Sequence, residues 1–146
     1  MTISPTTTLD AGKAVRRQVL GGEHVDRSMA QASAFARPIQ ELVTEYCWGA
    51  VWSRPGLAHA TRSMLNLAML TALNRTHELE VHVKGALNNG VTIIQIQEVL
   101  LQAAAYCGAP AALESFRAAE RVLIELGHDV QHLSEHQSAH QDGVRR

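Results

Sequence analysis

Aromatic residues make up only 4% of this 146-residue chain, which has four prolines, two cysteines and ten glycines. Two cysteines, Cys47 and Cys107, cannot supply the framework of a disulfide-stapled secreted domain; free thiols in a reducing cytoplasm are the simpler expectation. Sparse glycine and proline, with few β-branched clusters and plentiful Ala, Leu, Glu and Gln, favour helix. The formal net charge of −1 excludes a global field for capturing nucleic acid or an acidic membrane surface. No run approaches 18 consecutive apolar residues, and MTISPTTTLDAG has neither the basic patch nor the apolar core of a secretion signal. The expectation is one cytoplasmic domain, without nucleic-acid or membrane partners. With 46% hydrophobic residues there is enough to fill a single core.

What is present is helical punctuation. Residues 1–10 read as a loose arm, 11–127 as one helical domain, and 128–146 as a polar, histidine-rich tail. A first helix is expected from about Ala11 to Leu20, stopped by Gly21-Gly22, and a second from the cap Asp26 to just before Pro38. In the third, PIQELVTEYCWGAVW, a 3.6-residue period puts Ile39, Leu42, Val43, Tyr46 and Ala50 on one face, with Glu41, Glu45, Trp48 and Trp52 on a neighbouring stripe. SRPGL breaks that helix. A fourth, His59 to Leu73, carries MLNLAML and is apolar nearly all round except for Asn66. The fifth has Thr76 as its expected N-cap and Asn88-Asn89-Gly90 as its stop. The sixth opens on the capping box Thr92-x-x-Gln95, and Pro110 opens a seventh that ends near Gly127. The fold class is therefore all-α: a small antiparallel bundle of six to seven helices. The fourth and sixth helices are too apolar for a small monomer, so an oligomer is expected.

In the tail, His128, His132, His136 and His140 recur at intervals of four. On a helix they would line one face and could chelate a transition metal. With no carboxylate or thiol at ligand spacing and little apolar around them, a solvated polar tail is the preferred reading, and no metal site is assigned.

The segments AGKAVRRQVLGGEHVDRS, WGAVWSRPGL, TRSMLNLAMLTALNR, HVKGALNNGVT and EVLLQAAAYCGAPAA together resemble the carboxymuconolactone decarboxylase family, within the alkylhydroperoxidase D-like superfamily, over about residues 11 to 126. The thiol branch of that superfamily uses Cys-x-x-Cys-x-x-x-His; here Arg75 and Glu78 stand at the thiol positions ahead of His82. His77, Gln97 and Leu113 also depart from the family pattern. The resemblance implies a ring oligomer, a homohexamer or trimer of dimers, with sites between subunits. It also implies loss of CO₂ from 4-carboxymuconolactone to give 3-oxoadipate enol-lactone, in the protocatechuate branch of the β-ketoadipate pathway. This substrate absorbs the electrons of the broken bond itself, through its double bond onto the lactone carbonyl, so no cofactor is implied. The enzyme must hold the spectator carboxylate, stabilise negative charge on oxygen and deliver a proton to carbon.

On an expected helix, His82 shares a face with Leu79, Val83 and Ala86, so its imidazole leaves an apolar stripe; it is either a core histidine or a group that donates a proton or a hydrogen bond. Glu78, at i, i+4 spacing, either orients that imidazole and raises its pKa or is simply solvated. Glu41 matches a family position and becomes an acid if it is buried beside an indole. For the substrate's carboxylates the candidates are Arg54 beside Trp52, Arg62, Lys84 and Arg16, with Trp48 as an apolar wall. Lys84 lies on a different side of its helix from His82, and Arg16 has subunit contacts as an alternative role. Competing readings are a thiol peroxidase, which the missing Cys pair opposes, a relative acting on another lactone or oxo acid, and a non-catalytic helical binding module.

Overall fold

The computed structural model describes residues 7–133. Seven helices and no strand are present among the described residues, in the order α1 (Thr8–Leu20), α2 (Gly22–Gln31), α3 (Arg37–Val43), α4 (His59–Ala72), α5 (Thr76–Asn88), α6 (Ile93–Cys107) and α7 (Ala109–Glu125). By their contacts the described residues divide into two compact units, which part between His59 and Ala60.

In the first unit, Thr7 and Asp10 close a capping box, so α1 begins three residues earlier than its apolar pattern suggests. The second helix starts at Gly22, not at Asp26; that aspartate lies within α2 and pairs with Arg17 instead of capping. Helix α3 does not continue as an α-helix. From Thr44 to Trp52 the chain is a π-helix, closed at its end by the Ser53 amide on the Trp48 carbonyl at 3.2 Å. The wider turn buries Thr44, Trp48 and Trp52 at every fourth position. Ile39, Leu42 and Tyr46, which share one face by the α-helical period, are exposed in the single chain. The indoles of Trp48 and Trp52 pack 4.8 Å apart and, with Val19, form the core of this unit.

Helix α1 crosses this π-segment at backbone distance. A β-carbon on Gly12 would collide with the Thr44 carbonyl and come within 2.8 Å of the Gly49 nitrogen; one on Gly49 would collide with the Thr8 carbonyl. Two glycines facing each other make the crossing possible. After it, the His59 ring Nε2 meets the Trp52 carbonyl at 3.2 Å, and the His59 ring lies against Trp52.

The second unit is built on Leu79, Val83, Ala86 and Leu87 of α5, buried against Leu67 of α4, Ile96 and Leu100 of α6, and Val122 and Leu123 of α7. Full burial of each large aliphatic side chain stabilises by about 1.5–3 kcal/mol. Asn74 turns the chain between α4 and α5 with φ of 55°, a left-handed conformation that asparagine tolerates. Consequently Arg75, not Thr76, is the N-cap of α5, and no side chain caps that end. Thr92 and Gln95 form the expected reciprocal capping box on α6, and α7 gives way to Gly127 at φ 82°.

Candidate active site

His82 emerges from the buried stripe of α5 and is itself half-buried. Across from it, α4 presents Asn66, whose side-chain nitrogen lies 3.4 Å from the His82 Nδ1. Asn89, at the end of α5, donates its side-chain amide to the buried Ser63 hydroxyl of α4 at 2.9 Å, and the Arg75 backbone amide closes the α4–α5 turn on the Leu70 carbonyl at 2.9 Å. Arg62 is half-buried one turn before Asn66, at the i, i+4 spacing that puts both on one side of α4. Glu78 is exposed one turn before His82. The second unit therefore gathers an imidazole, an amide, a guanidinium and a carboxylate on two neighbouring helices.

The electrostatics of His82 differ from the sequence expectation. Loss of hydration pushes its pKa down to about 4, and the Glu78 charge opposes this as the smaller effect. Glu78 does raise the pKa, but burial wins. At neutral pH the imidazole is uncharged, and so suited to donating a hydrogen bond from one nitrogen while accepting at the other.

The remaining expected site residues lie apart from this cluster or in the first unit. Lys84 is exposed on another side of α5 and pairs with Glu125 of α7 at 3.6 Å. Arg54 is exposed in the SRPGL turn, its amide on the Val51 carbonyl at 3.1 Å. Glu41 is also exposed, so the burial needed to make it an acid is not found within the chain; it lines an open cavity with Arg37 and Gln40. Trp48 is core, stacked on Trp52. Arg16 is buried, donating to the Thr44 hydroxyl at 2.8 Å and the Gln40 side-chain oxygen at 3.0 Å, with Met29 sulfur at 3.7 Å. Desolvation lowers its pKa, and these neutral acceptors tie α1 to the α3–π helix.

Neither thiol lies at a redox-motif position: Cys47 is half-buried in the π-segment and Cys107 exposed at the end of α6. In the tail, His132 contacts Asp129 at 3.1 Å, while His136 and His140 lie outside the described residues. Among the described residues no three His, Cys, Asp or Glu side chains are grouped to hold a metal ion, and no helix is long and apolar enough to cross a membrane.

The sequence model of the Carboxymuconolactone decarboxylase family matches residues 37–121, a span that contains Arg62, Asn66, Glu78 and His82 and leaves out Arg16. The chain belongs to this family. It is 43% identical over 117 residues to nitrosuccinic acid decarboxylase npaB of Metarhizium robertsii, covering 80% of this chain and 82% of that protein. It is 41% identical over 116 residues to 4-carboxymuconolactone decarboxylase of Acinetobacter baylyi, covering 80% and 87%. A third relative, 4-carboxymuconolactone decarboxylase of Pseudomonas putida, is 45% identical over 40 residues, 27% of this chain and 83% of that protein. Membership accords with an all-helical chain of the alkylhydroperoxidase D-like type. Asn66, which lies against His82, is not among the candidates the sequence assigns, although it stands out as the polar interruption of MLNLAML.

Proposed function

We propose that this chain is a carboxy-lyase that removes CO₂ from 4-carboxymuconolactone. The single observation that carries the reading is its 41% identity, over 80% of its length, to a decarboxylase of that substrate. The lactone carries a carboxylate and an acetate arm on one ring carbon. Cleavage of the carbon–carboxylate bond sends the electron pair through the ring double bond onto the lactone carbonyl oxygen. Uncharged, half-buried His82 donates a hydrogen bond to that oxygen as its charge develops, where a desolvated donor is most effective. A proton then adds to the ring carbon alpha to the carbonyl, giving 3-oxoadipate enol-lactone. Glu78 is assigned to handling that proton with water. Arg62 is the cation in the same unit for the acetate carboxylate. Arg54 is kept as a candidate carboxylate-binding cation of the first unit. Arg16 and Trp48 are assigned to holding the first unit together, Lys84 to the surface, and Glu41 to the first unit's open cavity. The chemistry asks for no cofactor, because the substrate is its own electron sink.

The 43% identity to a nitrosuccinic acid decarboxylase favours a second reading on the same site. Nitrosuccinate and carboxymuconolactone share a plan: the carbon that loses CO₂ bears both an electron acceptor and a CH₂–carboxylate arm. In the nitro acid the electron pair would pass to the nitro group, giving a nitronate. One hydrogen-bond donor at the acceptor oxygen and one cation at the arm serve both.

Several large apolar side chains are exposed in the single chain, among them Leu65 and Met69 on α4, Leu101 and Tyr106 on α6, and Phe35 at 96%. This supports a homohexameric ring, or trimer of dimers, that covers them. The free cysteines support a cytoplasmic location. Side-by-side assays of CO₂ release from the two acids test the function: equimolar CO₂ from the lactone is expected, turnover of nitrosuccinate alone would select the second reading, and release from neither would overturn both.

A further inference from the structure

The last described residues, 128–133, turn back onto the fold. Helix α7 closes with the Gly127 amide on the Ile124 carbonyl at 2.9 Å and the His128 amide on the Leu123 carbonyl at 3.0 Å, and Gly127, at φ 82°, reverses the chain. The Asp129 carboxylate then accepts from the backbone amides of Gln131 and His132, at 2.9 and 3.2 Å, and makes a second turn. Together these turns lay Val130 and Leu133 against the core of the second unit. Beneath this strap lies a cavity of about 100 Å³, walled by Ile96 and Leu100 of α6 and by Phe116 and Leu123 of α7. Close-packed protein leaves few spaces larger than a water molecule, and one lined by aliphatic and aromatic side chains favours an apolar occupant over water. None of its lining residues belongs to the His82 cluster.

Two polar side chains share the lining, Gln97 of α6 and Glu120 of α7, and Glu120 is the one ionisable group there. Its neighbouring arginines are engaged elsewhere: Arg117 pairs with Glu114, and Arg121 with Glu80 at 2.7 Å. Glu120 itself makes no ion pair or hydrogen bond among the described residues, and neither does the half-buried Gln97 side chain. An apolar chamber with an unpaired carboxylate and an amide oxygen at its lining is complementary to a cation with an apolar body. We propose that this cavity binds a small alkylammonium ion, its alkyl group under Val130 and Leu133 and its ammonium donating to the Glu120 carboxylate and the Gln97 side-chain oxygen. A cavity of about 150 Å³ holds benzene, so this one, at about two-thirds of that volume, takes a branched alkyl group of about four or five carbons. Charge selects among ligands of that size. A carboxylate would meet Glu120 with like charge, and an alcohol would gain the apolar burial alone.

The test is isothermal titration calorimetry of the full-length protein at neutral pH with isopentylamine, isopentyl alcohol and isovalerate, which share one apolar body and differ in charge. The amine is expected to bind with Kd on the order of 0.1–1 mM, the alcohol about fivefold or more weakly, and the carboxylate not at all. In methyl-labelled protein the amine should shift the NMR signals of Ile96, Leu100, Leu123, Val130 and Leu133. Ala119 lines the cavity from α7, and Ala119→Leu should fill it and abolish binding. Glu120→Gln should bind the amine no better than the alcohol, and Gln97→Lys, which sets an ammonium of the chain's own beside Glu120, should do the same. Equal affinity of the wild type for amine and alcohol, or no binding of the amine at about 10 mM, would overturn the proposal whether or not the variants fold. So would NMR shifts confined to residues outside the cavity, or undiminished binding by folded Ala119→Leu.

Discussion

Replacing His82 with glutamine should remove a definite part of the protein's sensitivity to acid. In the folded chain the imidazole titrates near 4, against about 6.5 when unfolded. Between those values the unfolded chain holds a proton that the folded chain does not, so this group's contribution to stability declines as pH falls through the window and is gone below the folded pKa. At 1.36 kcal/mol per pKa unit the whole loss is about 3 kcal/mol, of which about 2 kcal/mol falls between pH 7 and pH 5. Other titrating groups contribute alike to the wild type and to His82→Gln, so the difference between their pH profiles isolates this one. The assay is urea unfolding of both proteins, followed by helical circular dichroism, at half-unit steps from pH 7.5 to 5. Wild type should lose about 2 kcal/mol more than the variant over pH 7 to 5. Parallel profiles would mean that His82 is not desolvated, and the case for a neutral donor would fail with it.

Arg62→Gln should raise KM for the lactone by about tenfold or more with a smaller change in kcat, measured by initial rates, if this guanidinium holds the acetate carboxylate. Lys84→Ala breaks an exposed pair with Glu125 and should change both stability and kcat/KM by little, under about 1 kcal/mol in unfolding experiments. Gly12→Ala forces a methyl group against the Thr44 carbonyl, where backbone must move, and should destabilise by about 1–3 kcal/mol or more in thermal melts. Leu65→Asp with Met69→Asp should shift the protein to smaller species in size-exclusion chromatography with light scattering; a wild type already monomeric at micromolar concentration would contradict the ring.

The helices were largely legible because their ends are written locally. Thr92 and Gln95 are three residues apart and cap α6 as the pattern requires, and the Gly108–Pro110 break separates α6 from α7. Local patterns misled where a longer-range partner competed. Asp26 looks like a cap but is drawn to Arg17 nine residues earlier, and Thr76 loses the cap position because Asn74 turns the chain one residue sooner. The π-segment has no sequence period of its own, so the α-helical wheel put the apolar face on Ile39, Leu42 and Tyr46 while Trp48 and Trp52 were the side chains buried. At the site, the apolar stripe around His82 was readable, and so was its spacing to Glu78. The depressed pKa was not, because it depends on how much water the fold removes. The acceptors of Arg16, Thr44 and Gln40, lie more than twenty residues away and are visible only in the folded chain.

The most direct measurement is kcat for CO₂ release from 4-carboxymuconolactone by purified wild type and by folded His82→Ala, with no metal, flavin or coenzyme supplied. The account predicts turnover by the wild type and a loss of about 10²–10³-fold in the variant, the worth of one oxyanion donor. Turnover that begins only when a cofactor is added, or a variant as fast as the wild type, would contradict it.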